Sequence, residues 1–258
     1  MAGEPLVQDT ASEQTYTSYE ALEPLQPDPA SYEGLLRSLD WKVQFSTLTV
    51  LRQVCKHQRE LFFQLAEQLL PLLVALSDSI RSNLSKNALL LLTEMFLEPH
   101  PAHAQMAEML VPGLLQKTVC EKTFLKQQAA AALRNLCREA SSPVVLQQLG
   151  SLCWHKSGVI CDNAFLYLKI AYERAETGEV FRSATALLNS KRKKIEAGAT
   201  STLRSMQPLP QFPALLATLD PTLRAQVDRA LLVRPGAAQA KDIRSFIEER
   251  KKTLQENN

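Results

Sequence analysis

A short phrase recurs through this chain and restricts what it can fold into: a base, then an apolar anchor three places on, then a small residue four places after that. It first appears in Asp40-Trp41-Lys42-Val43-Gln44-Phe45, with Lys42 before the anchor Phe45 and Thr49 after it. It returns as Arg81/Leu84/Ala88, Lys122/Leu125/Ala129 and Arg192/Ile195/Ala199, more loosely as Lys156/Ile160/Ala164, and finally as Leu223/Val227 without the base. The anchors at 45, 84, 125, 160, 195 and 223 give a drifting period of about 28–41 residues, the range of helical-pair repeats. Such units cannot bury their apolar faces alone, so the repeat predicts stacking.

The helical reading agrees with composition. Only 8 glycines and 6% aromatics leave little material for an all-β fold, while Leu, Ala, Gln, Lys and Glu abound. With 258 residues and 45% hydrophobic content, the chain can bury a sizeable core. A net charge of +2 argues against a general polyanion binder, so any functional charge must be local. Cys55, Cys120, Cys137, Cys153 and Cys161 are odd in number and form no C-x-x-C pair, which predicts free thiols in a reducing, cytoplasmic setting. The N-terminus resembles no export signal, and the apolar run from Leu69 to Leu76 is far shorter than a membrane span and carries Pro71; no membrane insertion is expected.

Residues 1–30 carry four prolines and no sustained helical period, and are read as a disordered tail. Residues 31–254 are read as the repeat domain, and 255–258 as a disordered C-terminus. Ser31 is a candidate cap for a first helix whose apolar face would be Leu35, Leu36 and Leu39. Trp41, Phe45, Leu48, Leu51, Val54 and Cys55 then follow the 3.6-residue period. Further pairs are expected at about 60–76 and 82–97, 102–119 and 124–138, 143–154 and 159–174, and 178–189 and 193–206. A short sixth pair would lie around Leu215 and 223–232. Pro71 should kink or restart its helix. A final helix over 237–254, with Ile243, Phe246 and Ile247 on one side, reads as a polar-faced cap. The expected fold is all-α: an α-solenoid of about six HEAT-like pairs, an armadillo-like superhelix with a C-terminal capping helix.

In such a fold the anchors point inward and the alanines one turn later let neighbouring helices approach. The residues just before each anchor fall on the turns within the pairs, which line up along one edge. The candidate edge comprises Trp41, Lys42, Arg81, Asn83, Lys86, Lys122, Lys126, Lys156, Lys191, Arg192 and Lys193. Recurrence at one offset turns ordinary surface bases into a stripe, and an exposed Trp beside bases suits an interface anchor.

The Asp-Trp-Lys phrase in the first turn, followed by successive pairs with basic turns over about Ser31 to Arg250, resembles a TOG domain, the tubulin-binding HEAT-repeat module of CLASP proteins and of crescerin-type ciliary array regulators. The resemblance implies that Trp41 packs on tubulin and that Arg81, Lys122, Lys156 and Arg192 engage its acidic surface. It also implies a cytoskeletal or ciliary location. The chain departs from the pattern at Cys161, where the family often has Arg, and at Val43-Gln44, where bases are more usual. There is room for one such domain, so binding is expected rather than catalysed assembly. The alternative reading is a HEAT/armadillo adaptor that holds a helical or extended peptide without a tubulin role.

Other chemistry finds little support. His100-Pro-Ala-His103 and the group Cys153-Trp-His155 with Cys161 lack the ligand spacing of a zinc site. No nucleophile elbow, P-loop or dinucleotide motif is present, so neither a cofactor nor enzymatic activity is expected. The run Lys191 to Lys194 has no aromatic interleaving and runs straight into a helix, which argues against a nucleic-acid patch.

Overall fold

A computed structural model describes residues 16–140 and 143–232. Among these residues there are twelve α-helices and no strand, so the all-α reading holds. The chain divides into two compact units, Met1–Glu94 and Met95–Asn258.

The first unit contains α1 (Pro29–Leu36), α2 (Trp41–His57), α3 (Arg59–Ser77) and nearly all of α4 (Ser82–Met95). Asp40 starts α2: its carboxylate accepts the Lys42 N–H at 2.9 Å, satisfying one of the donors a helix start leaves open. α3 is the one helix among the described residues that is long and apolar enough to cross a membrane. Its apolar face, Phe62, Phe63, Ala66, Leu69, Leu70, Leu73 and Leu76, is instead buried in the core of this unit. The helix does not restart at Pro71: α3 runs through it. Pro71 and Glu67, whose carbonyl loses its N–H partner, both lie on the exposed face, where water can replace the missing bond.

The second unit contains α5 (His103–Lys117), α6 (Thr123–Glu139), α7 (Pro143–Leu152), α8 (Gly158–Tyr172), α9 (Thr177–Ala186), α10 (Lys193–Met206), α11 (Phe212–Ala217) and α12 (Pro221–Leu232). Within it the first helices of successive pairs, α5, α7 and α9, pack side by side, and so do the second helices, α6, α8 and α10. Asp220 caps α12 by accepting the N–H groups of Thr222 and Leu223, each at 2.9 Å. The expected capping helix at 237–254 lies outside the described residues.

The repeat explains the packing. Phe45, Leu84, Leu125, Ile160 and Ile195 are all buried, and Ala88, Ala129, Ala164 and Ala199 have no exposed surface. The last anchor differs: Leu223 is only half-buried, and Val227 fills the core instead. Gly198 permits a close approach within the second unit, because a Cβ there would collide with the Phe165 ring.

Three local expectations need correction. α1 begins at Pro29 rather than after a Ser31 cap; the Ser31 hydroxyl donates back to the Asp28 carbonyl at 2.9 Å. Of the three leucines assigned to its buried face, only Leu36 is buried, while Leu35 and Leu39 are exposed, because the helix ends before Leu39. The segment from Tyr16 to Asp28, read as part of a free tail, is instead held on α2 and α4. Arg52 donates to the Thr17 carbonyl at 2.9 Å, and Leu22 is only 2% exposed. Side-chain donors grip this stretch through its main chain, a form of order that helical periodicity cannot report.

Beneath that segment lies a buried ion pair. Arg52, 1% exposed, holds Glu94 through its Nε at 2.8 and 3.0 Å and through its Nη2 at 2.5 Å, and it also reaches Asn87 Oδ1 at 3.2 Å. Asn87 in turn donates to the Phe45 carbonyl at 2.9 Å. Burial pushes the Glu94 carboxyl above the usual range, with the Arg52 guanidinium pulling against it. In the second unit, burial pushes the Cys137 and Cys153 thiols up to about 12. Among the described residues no group of His, Cys, Asp or Glu could hold a metal ion.

Candidate functional site

In the first unit, the two turns within the pairs meet through their side chains. Trp41 is the first residue of α2 and is half-buried; Arg81 stands just before α4 and is exposed. The Arg81 guanidinium lies over the Trp41 indole, 5.3 Å from its centre, a cation–π arrangement. Lys42 beside it is exposed. The same turns carry two apolar residues that the sequence reading did not assign to the edge: Leu39 is fully exposed and Ile80 is 94% exposed. The first two turns thus present bases and apolar side chains together.

The remaining candidates of this unit are already engaged. The Tyr16 hydroxyl donates to Asn83 Oδ1 at 2.9 Å, and the Lys86 ammonium sits 4.1 Å from the centre of the Tyr16 ring. Asn83 remains exposed and Lys86 is half-buried.

In the second unit the side-by-side packing of α6, α8 and α10, with buried anchors at the same offset from each start, brings their N-terminal ends to one side. Lys122, Lys126, Lys156, Lys191 and Lys193 are all exposed there. The N-terminal ends also carry the partial positive charge of their helix dipoles, which adds to that of the lysines. Two adjacent residues of α8 tie the turns together. Asn163 donates to Thr118 Oγ1 at 3.2 Å, and Asp162 receives Arg192 in a two-pronged contact, Nε to Oδ1 and Nη2 to Oδ2, both 3.0 Å.

Arg192 is therefore partly structural. Its guanidinium packs over Gly158, where a Cβ would collide with it, so glycine at the start of α8 makes room for the fork. Lys193 is also paired, with Glu196 at 2.9 Å, although its side chain stays 91% exposed. Apolar side chains surface among these turns as well: Phe124, Trp154 and Val159 are exposed. The sequence offered a partial signal for them, since each directly adjoins or lies within three residues of a candidate base.

A cleft of about 520 Å³ opens between the third turn and α8, lined by residues that include Cys120, Lys126, Val159, Asn163 and Tyr167. Its lining mixes polar and apolar side chains.

Comparison with known proteins agrees with the fold. The family model described as CLASP N terminal matches residues 30–199. The Drosophila melanogaster Mini spindles TOG3 structure is similar with a TM-score of 0.50 at 13% identity, over 82% of this chain and 97% of that one. A designed armadillo repeat protein aligns with a TM-score of 0.41 at 16% identity, over 86% of this chain and 99% of that one. No curated protein matches. With the family matched over more than half of its length, and with paired helices and anchors to suit, this chain belongs to the CLASP N-terminal family and carries a TOG-like HEAT-repeat domain.

Proposed function

We propose that this protein is a non-catalytic binding module for the tubulin heterodimer or the microtubule lattice, and that it works through the turns within its helical pairs. The observation that carries the reading is the Trp41–Arg81 stack with Leu39 and Ile80 exposed beside it, in a chain of the CLASP N-terminal family. A leucine and an isoleucine held in water at a turn gain about 25 cal/mol per Å² when a partner covers them. Aromatic and arginine side chains are the usual centres of binding energy at protein interfaces. Lys42, Lys122, Lys156 and Lys191 supply charge that would steer an acidic partner and make association salt-sensitive. Arg192 contributes more by holding the fifth turn against α8 than by direct contact. The module would act on cytoskeletal, cytoplasmic or ciliary microtubules.

Co-elution with tubulin in size-exclusion chromatography at low salt tests the reading. The parent chain should shift the tubulin peak, and the pair Trp41→Ala with Lys122→Ala should abolish the shift. An unchanged shift in the variant, or none in the parent, would remove the proposed edge.

A second reading, an adaptor for a peptide partner, is favoured by one observation: α2 and its C-terminal end already hold a non-helical segment through main-chain contacts.

A further inference from the structure

The end of α2 reads a peptide backbone. Lys56 places its ammonium against three main-chain carbonyls, those of Tyr19 at 2.8 Å, Glu20 at 2.9 Å and Leu22 at 3.0 Å. His57 Nε2 lies 2.7 Å from the Leu22 carbonyl; because a carbonyl only accepts, that nitrogen carries a proton. Gln58 donates to the Leu25 carbonyl at 2.8 Å, and Arg52 donates to that of Thr17. All four side chains thus end on main-chain acceptors of one non-helical stretch, which turns between Tyr19 and Leu22.

Three side chains of that stretch are engaged, one of them Tyr19, whose ring centre lies 5.2 Å from the Lys56 ammonium. Tyr16 packs its ring 5.7 Å from that of Phe45 and bonds Asn83, and Leu22, six residues on, is buried. Ser18, Glu20, Ala21, Glu23 and Pro24 are exposed. The stretch from Tyr16 to Leu25 contains two glutamates and no base, which suits the Lys56 ammonium; the charge of Arg52 is already met by Glu94. Main-chain bonds give affinity without regard to sequence, and pockets for a few side chains give selection, the division of labour seen when extended peptides bind to protein surfaces.

We infer that this face of the first unit is a peptide-binding site filled by the chain's own residues 16–25, and that it accepts in their place an acidic segment of another protein that turns in the same way and has a tyrosine and a leucine six positions apart. The site is separate from the turn residues Trp41 and Arg81. A tethered ligand acts at an effective concentration in the millimolar range, so a free peptide enters only when the resident segment is weakened or outcompeted.

The test uses the full chain and, as probe, a fluorescein-labelled peptide of residues 14–27, followed by fluorescence anisotropy. In the variant Tyr16→Ala with Leu22→Ala the resident segment loses both anchors, and the probe should bind at least tenfold more tightly than it does to the parent. Adding Lys56→Met to that variant should weaken the probe at least tenfold, as should replacing Tyr16 of the probe by alanine. Binding to the double variant no tighter than to the parent, or indifference to Lys56→Met, would overturn the inference. Should the double variant lose its helical circular dichroism, a protease site inserted after Pro27 of the otherwise unaltered chain takes its place. After cleavage the probe should exchange into the site, and failure to exchange would equally overturn the inference.

Discussion

The guanidinium of Arg81 stands 5.3 Å from the centre of the Trp41 ring, joining the turn before α2 to the turn before α4. A half-exposed cation–π pair of this kind contributes about 0.5–1 kcal/mol. A double-mutant cycle with Trp41→Leu and Arg81→Gln, measured by urea unfolding, should give a coupling energy of that size. Additive losses would mean that the two side chains do not interact in solution.

Leu39 and Ile80 lie almost wholly in water, so replacing them should leave the fold unaffected. Leu39→Asp and Ile80→Asp should each change stability by no more than about 0.5 kcal/mol, as for surface positions in general. Each should nevertheless weaken tubulin co-elution about tenfold or more, by placing a carboxylate against an acidic surface. Unimpaired co-elution would show that the apolar turn residues take no part in binding.

Arg52 and Glu94 form a buried pair, and removing one partner strands the other. Arg52→Met should destabilise the protein by about 3–5 kcal/mol, whereas the joint change Arg52→Met with Glu94→Leu should recover most of the loss. Denaturant midpoints of the two variants, compared with the parent, decide the matter.

Gly198 sits inside α10, where helix propensity alone would favour alanine by about 1 kcal/mol. The Phe165 ring occupies the space a Cβ would need, so Gly198→Ala should instead destabilise by about 1–3 kcal/mol. A thermal midpoint that rises in this variant would contradict the close approach of α8 and α10.

Cys137 and Cys153 keep their protons up to about pH 12 in the folded chain because burial disfavours the thiolate; for Cys153 the neighbouring Cys161 adds to the effect. Their folded values lie above the unfolded one, so the stability they contribute is complete below about pH 9 and is lost as the pH rises towards 12. Alkaline titration followed by circular dichroism should therefore show a loss of stability across that window, shifted in Cys137→Ala. At pH 8, alkylation followed by mass spectrometry should modify the half-exposed Cys120 well before either buried thiol.

The helical pairs were legible because their signal is local and periodic. A buried anchor at 45, 84, 125, 160 and 195 and a small residue one turn later define each second helix without reference to distant partners. Where the outcome depended on a helix end, the period misled: Leu39 continues the apolar spacing of α1 but follows its last turn, so it faces water. Leu223 likewise matched the phrase but lies in the sixth pair, where α12 buries only Val227 among its own residues. The binding of residues 16–25 could not be read at all, since its donors lie more than thirty positions away and its acceptors are carbonyls that every residue possesses. For the candidate edge, residue type and offset identified the exposed lysines. They gave no warning that Asp162 holds Arg192 or that Tyr16 covers Lys86.

Tyr16 touches α2 through Phe45 and α4 through Asn83 and Lys86, so one phenol ring belongs to two equilibria. Thermodynamic reciprocity then applies to the docking of the N-terminal segment and to the availability of Lys86. A ligand that draws Tyr16 away exposes Lys86, and a partner that competes for Lys86 weakens the hold on Tyr16 by the same factor.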